Sequence, residues 1–138
     1  VATLRFAFHP PGETGGPVAV PYVDDVALTD LLDRFELAAG MSPAGDAYGG
    51  LDPRSLSGTM TGHFHGLEFG EGKTPVLGCA CGHWGCWPLL ARITVTGDEV
   101  VWDAFEQPHR AKRDYRGFGP FRFARAQYDA AVLRLESA

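Results

Sequence analysis

The chain has 138 residues, of which 45% are hydrophobic and 21% charged, with a formal net charge of −5. That length predicts one domain over 1–138 whose core removes roughly 68% of the unfolded surface from water, so folding requires neither disulfides nor a metal. The composition excludes a disordered or fibrous chain, and apolar runs such as Cys86 to Ala91 are far short of the roughly 20 residues of a membrane helix.

Ala2, Leu4, Phe6 and Phe8 alternate with Thr3, Arg5 and Ala7, the period-two pattern of a strand with one buried face. His9 to Pro17 is a Pro- and Gly-rich loop, and Val18 to Leu28 contains two β-rich stretches about Asp24-Asp25, which predicts a small hairpin whose acids serve the turn. Thr29 is placed to cap a helix over 29–39 carrying Leu31, Leu32, Phe35 and Ala39, with Gly40 as its stop. From Gly40 to Thr74 the sequence reads as a long irregular excursion, and loops of that length are often functional. Strands are predicted at 76–81, 87–96 and 100–105, the last two joined by Thr96-Gly97-Asp98-Glu99. After a loop at 107–120 and an extended piece at 121–123, Tyr128, Ala131, Val132 and Leu135 mark a closing helix over about 125–136. The expected fold is α+β: a single domain of mainly antiparallel sheet with two helices.

Cys79-Ala80-Cys81-Gly82-His83-Trp84-Gly85-Cys86 is the most pointed chemical feature. Alternate strand residues share a face, and a Gly-bounded turn brings Cys86 back beside them. Cys79, Cys81, Cys86 and His83 therefore form a candidate zinc set, with zinc the only cofactor implied. Packed thiols and a reactive thiolate are the alternatives; the last requires a lowered pKa that nearby cations would supply. His63-Phe64-His65 offers two histidines on one side of an extended chain, a pair that would bind metal together with the cysteine turn. Gly72-Lys73-Thr74 resembles the end of a phosphate-binding loop, but Leu67 stands where the motif needs Gly and Pro75 opens a strand where it needs a helix.

Charge is uneven. Residues 1–108 hold 5 basic and 14 acidic side chains, net −9, and residues 109–138 hold 7 and 3, net +4, which together make the −5 of the whole. His109, Arg110, Lys112, Arg113 and Arg116 are the candidate anion-binding residues. Arg122 and Arg125, interleaved with Tyr115, Phe118, Phe121 and Phe123, extend the same stretch toward a nucleic-acid-like pattern. The acidic whole and the strand-like spacing of Phe121 and Phe123 weigh against nucleic acid.

Val76 to Leu90, with its Cys-X-Cys-Gly-X-X-Gly-Cys-Trp-Pro-Leu core, resembles an uncharacterised, chiefly actinobacterial family. Trp102 to Phe105, Gln107 to Arg110, Phe118 to Phe121 and Gln127-Tyr128 are similar to the same family. The resemblance implies a bacterial cytoplasmic protein and carries over no activity, ligand or catalytic residue. A cytoplasmic site also fits Val1 to Phe8, which lack the layout of a signal peptide, and the clustered cysteines, which are unlike a secreted disulfide framework. The leading expectation is a non-enzymatic binding or interaction protein whose partner is another protein or a small anionic ligand. A small thiol- or metal-dependent enzyme is the alternative, since no catalytic constellation assembles from the motifs alone.

Overall fold

The computed structural model describes residues 1–10, 16–69, 72–81 and 83–138. The alternation near the N-terminus forms β1 (Leu4–His9), antiparallel to β2 (Val18–Val23), which turns back into β3 (Val26–Ala27). Most of the predicted loop between β1 and β2, 11–15, lies outside the described residues. Asp24 and Asp25 form the turn with φ of 49° and 64°, the left-handed pair that a two-residue hairpin requires. The side chain of Asp24 accepts the Thr3 N–H at 2.9 Å and Asp25 pairs with Arg5 at 2.9 Å, so both acids serve the turn, as their spacing implies.

The strand runs directly into α1 (Leu28–Ala38). Thr29 is not its cap: pairing of Ala27 with Tyr22 holds the backbone extended up to the first helical residue, and Ala27 takes the cap position without a side-chain bond. At the other end Gly40, with φ 74°, donates to Leu37 O at 3.1 Å, and Met41 donates to Glu36 O at 3.0 Å. That is a Schellman stop, which glycine makes accessible. It aims Met41 and Ser42 out of the helix.

The second sheet runs β4 (Tyr48–Gly49), β5 (Thr74–Cys79), β6 (Leu89–Val95), β7 (Glu99–Glu106) and β8 (Phe121–Ala124), in that order and antiparallel throughout. The chain closes with α3 (Arg125–Glu136), which buries Tyr128, Ala131, Val132 and Leu135 as their spacing predicts. Strand β5 begins two residues earlier than its apolar run, because Thr74 and Pro75 already register with Ala91 and Leu90 of β6. Bridges between Ala19 and Leu51 and between Ala2 and Phe123 tie the two sheets together.

Two expectations are corrected. The α+β, mainly antiparallel class holds, but the described residues add a third, short helix to the two expected, and the 40–74 stretch is not irregular throughout. It contains β4, a single 3₁₀ turn (Pro53–Ser55) and α2 (Met60–Phe64). Five residues are too few to show a helical period, and isolated helices of that length are unstable in water. A local cap begins it, Thr59 Oγ1 accepting from Gly62 N at 2.9 Å, and a tertiary contact completes it: the Glu136 carboxylate at the end of α3 accepts from Met60 N and Thr61 N at 3.2 and 3.1 Å.

The core lies between the second sheet, α2 and α3, around Trp102, Tyr128, Phe64 and Phe123. Burying a tyrosine and a tryptophan demands partners for their polar tips. Trp102 Nε1 donates to Tyr128 Oη at 2.9 Å, and Tyr128 in turn donates to the Phe64 carbonyl that ends α2. The core thereby fixes the end of the segment whose sequence is least regular.

Candidate functional site

The cysteine turn follows β5 and is held close to it. A Cβ on Gly78 would lie 2.8 Å from Trp84 Cα and 2.9 Å from Trp84 Cβ, so only glycine lets the 3₁₀ turn Trp84–Cys86 pack on the strand. None of the three cysteines is in a disulfide; Cys79 and Cys81 are half-buried and Cys86 is exposed. The Cys81 N–H donates to Cys79 Sγ at 3.3 Å. Burial, and then the neighbouring Cys81 and Cys86 thiols, push the Cys79 thiol above its ordinary pKa, and the Cys81 thiol does the same to Cys86. The sulfurs are thus mutual neighbours, as the spacing implies. His83 is exposed, and Gly82 lies outside the described residues. Among the described residues no group of three or more His, Cys, Asp or Glu side chains is arranged to hold a metal ion.

The histidine pair does not meet on one face. His63 and His65 sit at the end of α2 rather than on extended chain, where residues two apart point in divergent directions. His63 is fully buried, with Nε2 2.8 Å from Pro75 O and Nδ1 without a partner among the described residues. His65 places Nδ1 2.6 Å from Thr61 O and Nε2 2.7 Å from Asp129 Oδ1. Burial lowers the His63 pKa below its ordinary 6.5. The unfolded chain therefore binds a proton that the folded one refuses, and stability falls as pH drops from about 6.5 toward the lower folded value. A denaturation series over that window is expected to show a slope of up to about 1.4 kcal/mol per pH unit from this group, absent in His63→Gln.

The five candidate anion-binding residues of the 109–116 loop divide. Arg113 turns inward, with Nη1 3.2 Å from Glu36 Oε2 and Nη2 2.7 Å from Pro43 O. Arg116 forms a two-pronged pair with Asp114 at 3.0 and 2.9 Å. His109 Nε2 is 2.8 Å from the Gly85 carbonyl, which docks the loop on the cysteine turn. The Arg110 guanidinium lies 4.6 Å from the centre of the Trp87 ring, a cation–π contact that orients the charge without neutralising it. Neither Arg110 nor Lys112 has a carboxylate partner among the described residues. His109, Arg110, Lys112 and Arg113 border, with Ala111 and Asp114, one open cleft of about 810 Å³, whose other wall is Ala39, Met41 and Ser42 about the α1 stop.

Behind this cleft lies a polar centre that no sequence motif marks. Glu36 of α1 is completely buried, and its Oε2 accepts from Tyr115 Oη at 2.5 Å, Tyr48 Oη at 3.0 Å and Arg113 Nη1 at 3.2 Å. Burial pushes the pKa of both tyrosines upward, so they remain neutral donors. The sequence does carry a signal: Glu36 follows Leu28 and Leu32 at four-residue intervals, a carboxylate in line with the buried stripe of α1. Charges in such positions are retained only when paired.

No protein-family model matches the chain, and no curated protein or solved structure matches it. No described helix is long and apolar enough to cross a membrane.

Proposed function

We propose that this chain is a non-enzymatic binding protein of the bacterial cytoplasm that takes a small anionic ligand in the cleft between the end of α1 and the basic loop. The observation that carries the reading is that Arg110 and Lys112, neither paired with a carboxylate among the described residues, border one cleft with His109, Arg113 and Asp114, and its remaining wall includes Ala39 and Met41. A cationic rim over an apolar wall fits an anion with a short apolar body. In this reading the cysteine turn is a structural element that holds His109 and Trp87 in place. Calorimetry with hexanoate and its neutral analogue hexanamide tests it. Hexanoate is expected to bind about tenfold more tightly, with an advantage that shrinks as salt rises; equal binding, or none, removes the proposal.

Zinc at Cys79, Cys81 and Cys86 with His83 is the second reading, favoured by the mutual approach of the thiols. Protein purified without a metal-affinity tag would then carry about one zinc per chain, and the metal would be lost in Cys81→Ser. The thiol-enzyme alternative is weaker, because it needs a lowered thiol pKa and both Cys79 and Cys86 are shifted upward. Nucleic acid is weaker too. Arg113, Arg116, Arg122 and Arg125 are all paired with carboxylates, and Tyr115, Phe118 and Phe123 are buried in the core rather than presented for stacking.

A further inference from the structure

Sharing Arg110, Ala111, Arg113 and Asp114 with the cleft, a smaller hollow of about 260 Å³ is lined also by the end of β7 and by Gln107. It falls just below the roughly 300–1,000 Å³ of pockets that enclose whole drug-sized ligands, so it admits a chemical group rather than a molecule.

Three features of its wall point the same way. First, β7 carries an extra residue there: Leu90 and Arg92 of β6 register with Glu106 and Asp103 of β7, two steps against three. The bulge falls at Ala104, whose φ of 51° lies in the left-handed region. A bulge re-aims the side chains beyond it and recurs beside functional sites. Second, the residue just past β7 is Gln107, only 1% exposed. Its Oε1 accepts from His109 N at 2.7 Å, which fixes the amide's orientation, and its Nε2 has no partner among the described residues. That nitrogen lies within the wall with almost no accessible surface of its own, a donor that lacks an acceptor. Third, the charge in the wall is predominantly positive. Lys73, Arg110, Arg113 and Arg116 face Glu106 and Asp114; Lys73 is paired with Glu106, Arg116 with Asp114 and Arg113 with the buried Glu36. The positive charge of Arg110 is left over among the described residues.

We infer that this hollow anchors a single oxyanion, a carboxylate or a phosphate group, with the Gln107 amide nitrogen as its fixed neutral donor and Arg110 as its charge. The inference rests on the anion-binding reading above and locates the anionic head of the ligand. Arg113, held by Glu36 and the Pro43 carbonyl, borders both the hollow and the larger cleft and sets the distance between head and body.

The test is a titration of the ¹⁵N-labelled full chain with inorganic phosphate and, separately, with acetate, against sodium chloride at matched ionic strength. Saturable shifts of the Gln107 side-chain amide with either oxyanion, and none with chloride, are expected; which oxyanion saturates first tells a phosphate-bearing ligand from a carboxylate. Gln107→Glu keeps the acceptor for His109 N but replaces the donor with a negative charge, and is expected to weaken binding about tenfold or more. Arg110→Gln, at an exposed position, is expected to do the same. A Gln107 amide that stays unmoved at saturation, or unaltered affinity in both variants, overturns the inference. The two readings fail separately: hexanoate that shifts Met41 and Ser42 while Gln107 is silent overturns the subsite alone. Phosphate that saturates at Gln107 without hexanoate binding overturns the cleft alone.

Discussion

Glu36→Leu is expected to destabilise the fold by about 3–5 kcal/mol, because removing one member of a buried pair leaves the other charge uncompensated. Arg113, only 9% exposed at its side chain, would lose its carboxylate, and the hydroxyls of Tyr48 and Tyr115 would lose their shared acceptor. The double variant Glu36→Leu with Arg113→Met is expected to recover much of that loss, since well-packed apolar residues often replace a buried pair at little cost. Urea denaturation of both variants against the parent measures the difference. If the single and double variants lose equal stability, the pair is not what holds α1 to the 113–115 loop. The double variant has a further use. It removes Arg113 from the cleft, so anion affinity measured in it reports what Arg110 and Lys112 contribute without that residue.

Gly78→Ala is expected to cost about 1–3 kcal/mol, the range for forcing extra volume into a packed site. The atoms in the way belong to Trp84 Cα and Cβ rather than to the end of a flexible side chain, so the 3₁₀ turn must lift from β5. Lifting it exposes Cys79, and faster alkylation of one thiol in the native state is the accompanying readout. The same displacement moves Gly85 O away from His109 Nε2, so anion affinity at the loop is expected to fall in parallel. Gly97→Ala is the control, because no atom outside its immediate chain neighbours lies within 4 Å of the added carbon. A Gly78→Ala protein with parental stability and thiol kinetics would mean that the turn is not clamped to the strand.

Much of the fold is legible in the chain itself. Strong periodicity is local information: the apolar spacing of α3, the alternation of β1, and the turn residues between β6 and β7 each specify an element before any contact forms. Gly40 and Asp24-Asp25 work in the same way, because their backbone preferences hold wherever the chain goes. The mutual proximity of Cys79, Cys81 and Cys86 is likewise short-range and follows from eight consecutive residues.

The candidate site was only partly legible, because charge in a sequence does not say where its partner is. The run from His109 to Arg116 reads as one cationic surface, yet tertiary structure turns Arg113 in to a carboxylate 77 positions away and leaves Arg110 stacked on Trp87. His63 and His65 look like a pair until the Glu136 carboxylate and the Phe64–Tyr128 bond settle them on a helix, each with a different partner. Amino-acid pattern by itself determined the α+β class, the longer elements and the place of the thiols, all consequences of local backbone and hydrophobic preferences. Only the tertiary structure decided which charges are buried, which are neutralised and which remain to meet a ligand, because those outcomes depend on residues far apart in the chain competing for the same few oxygens.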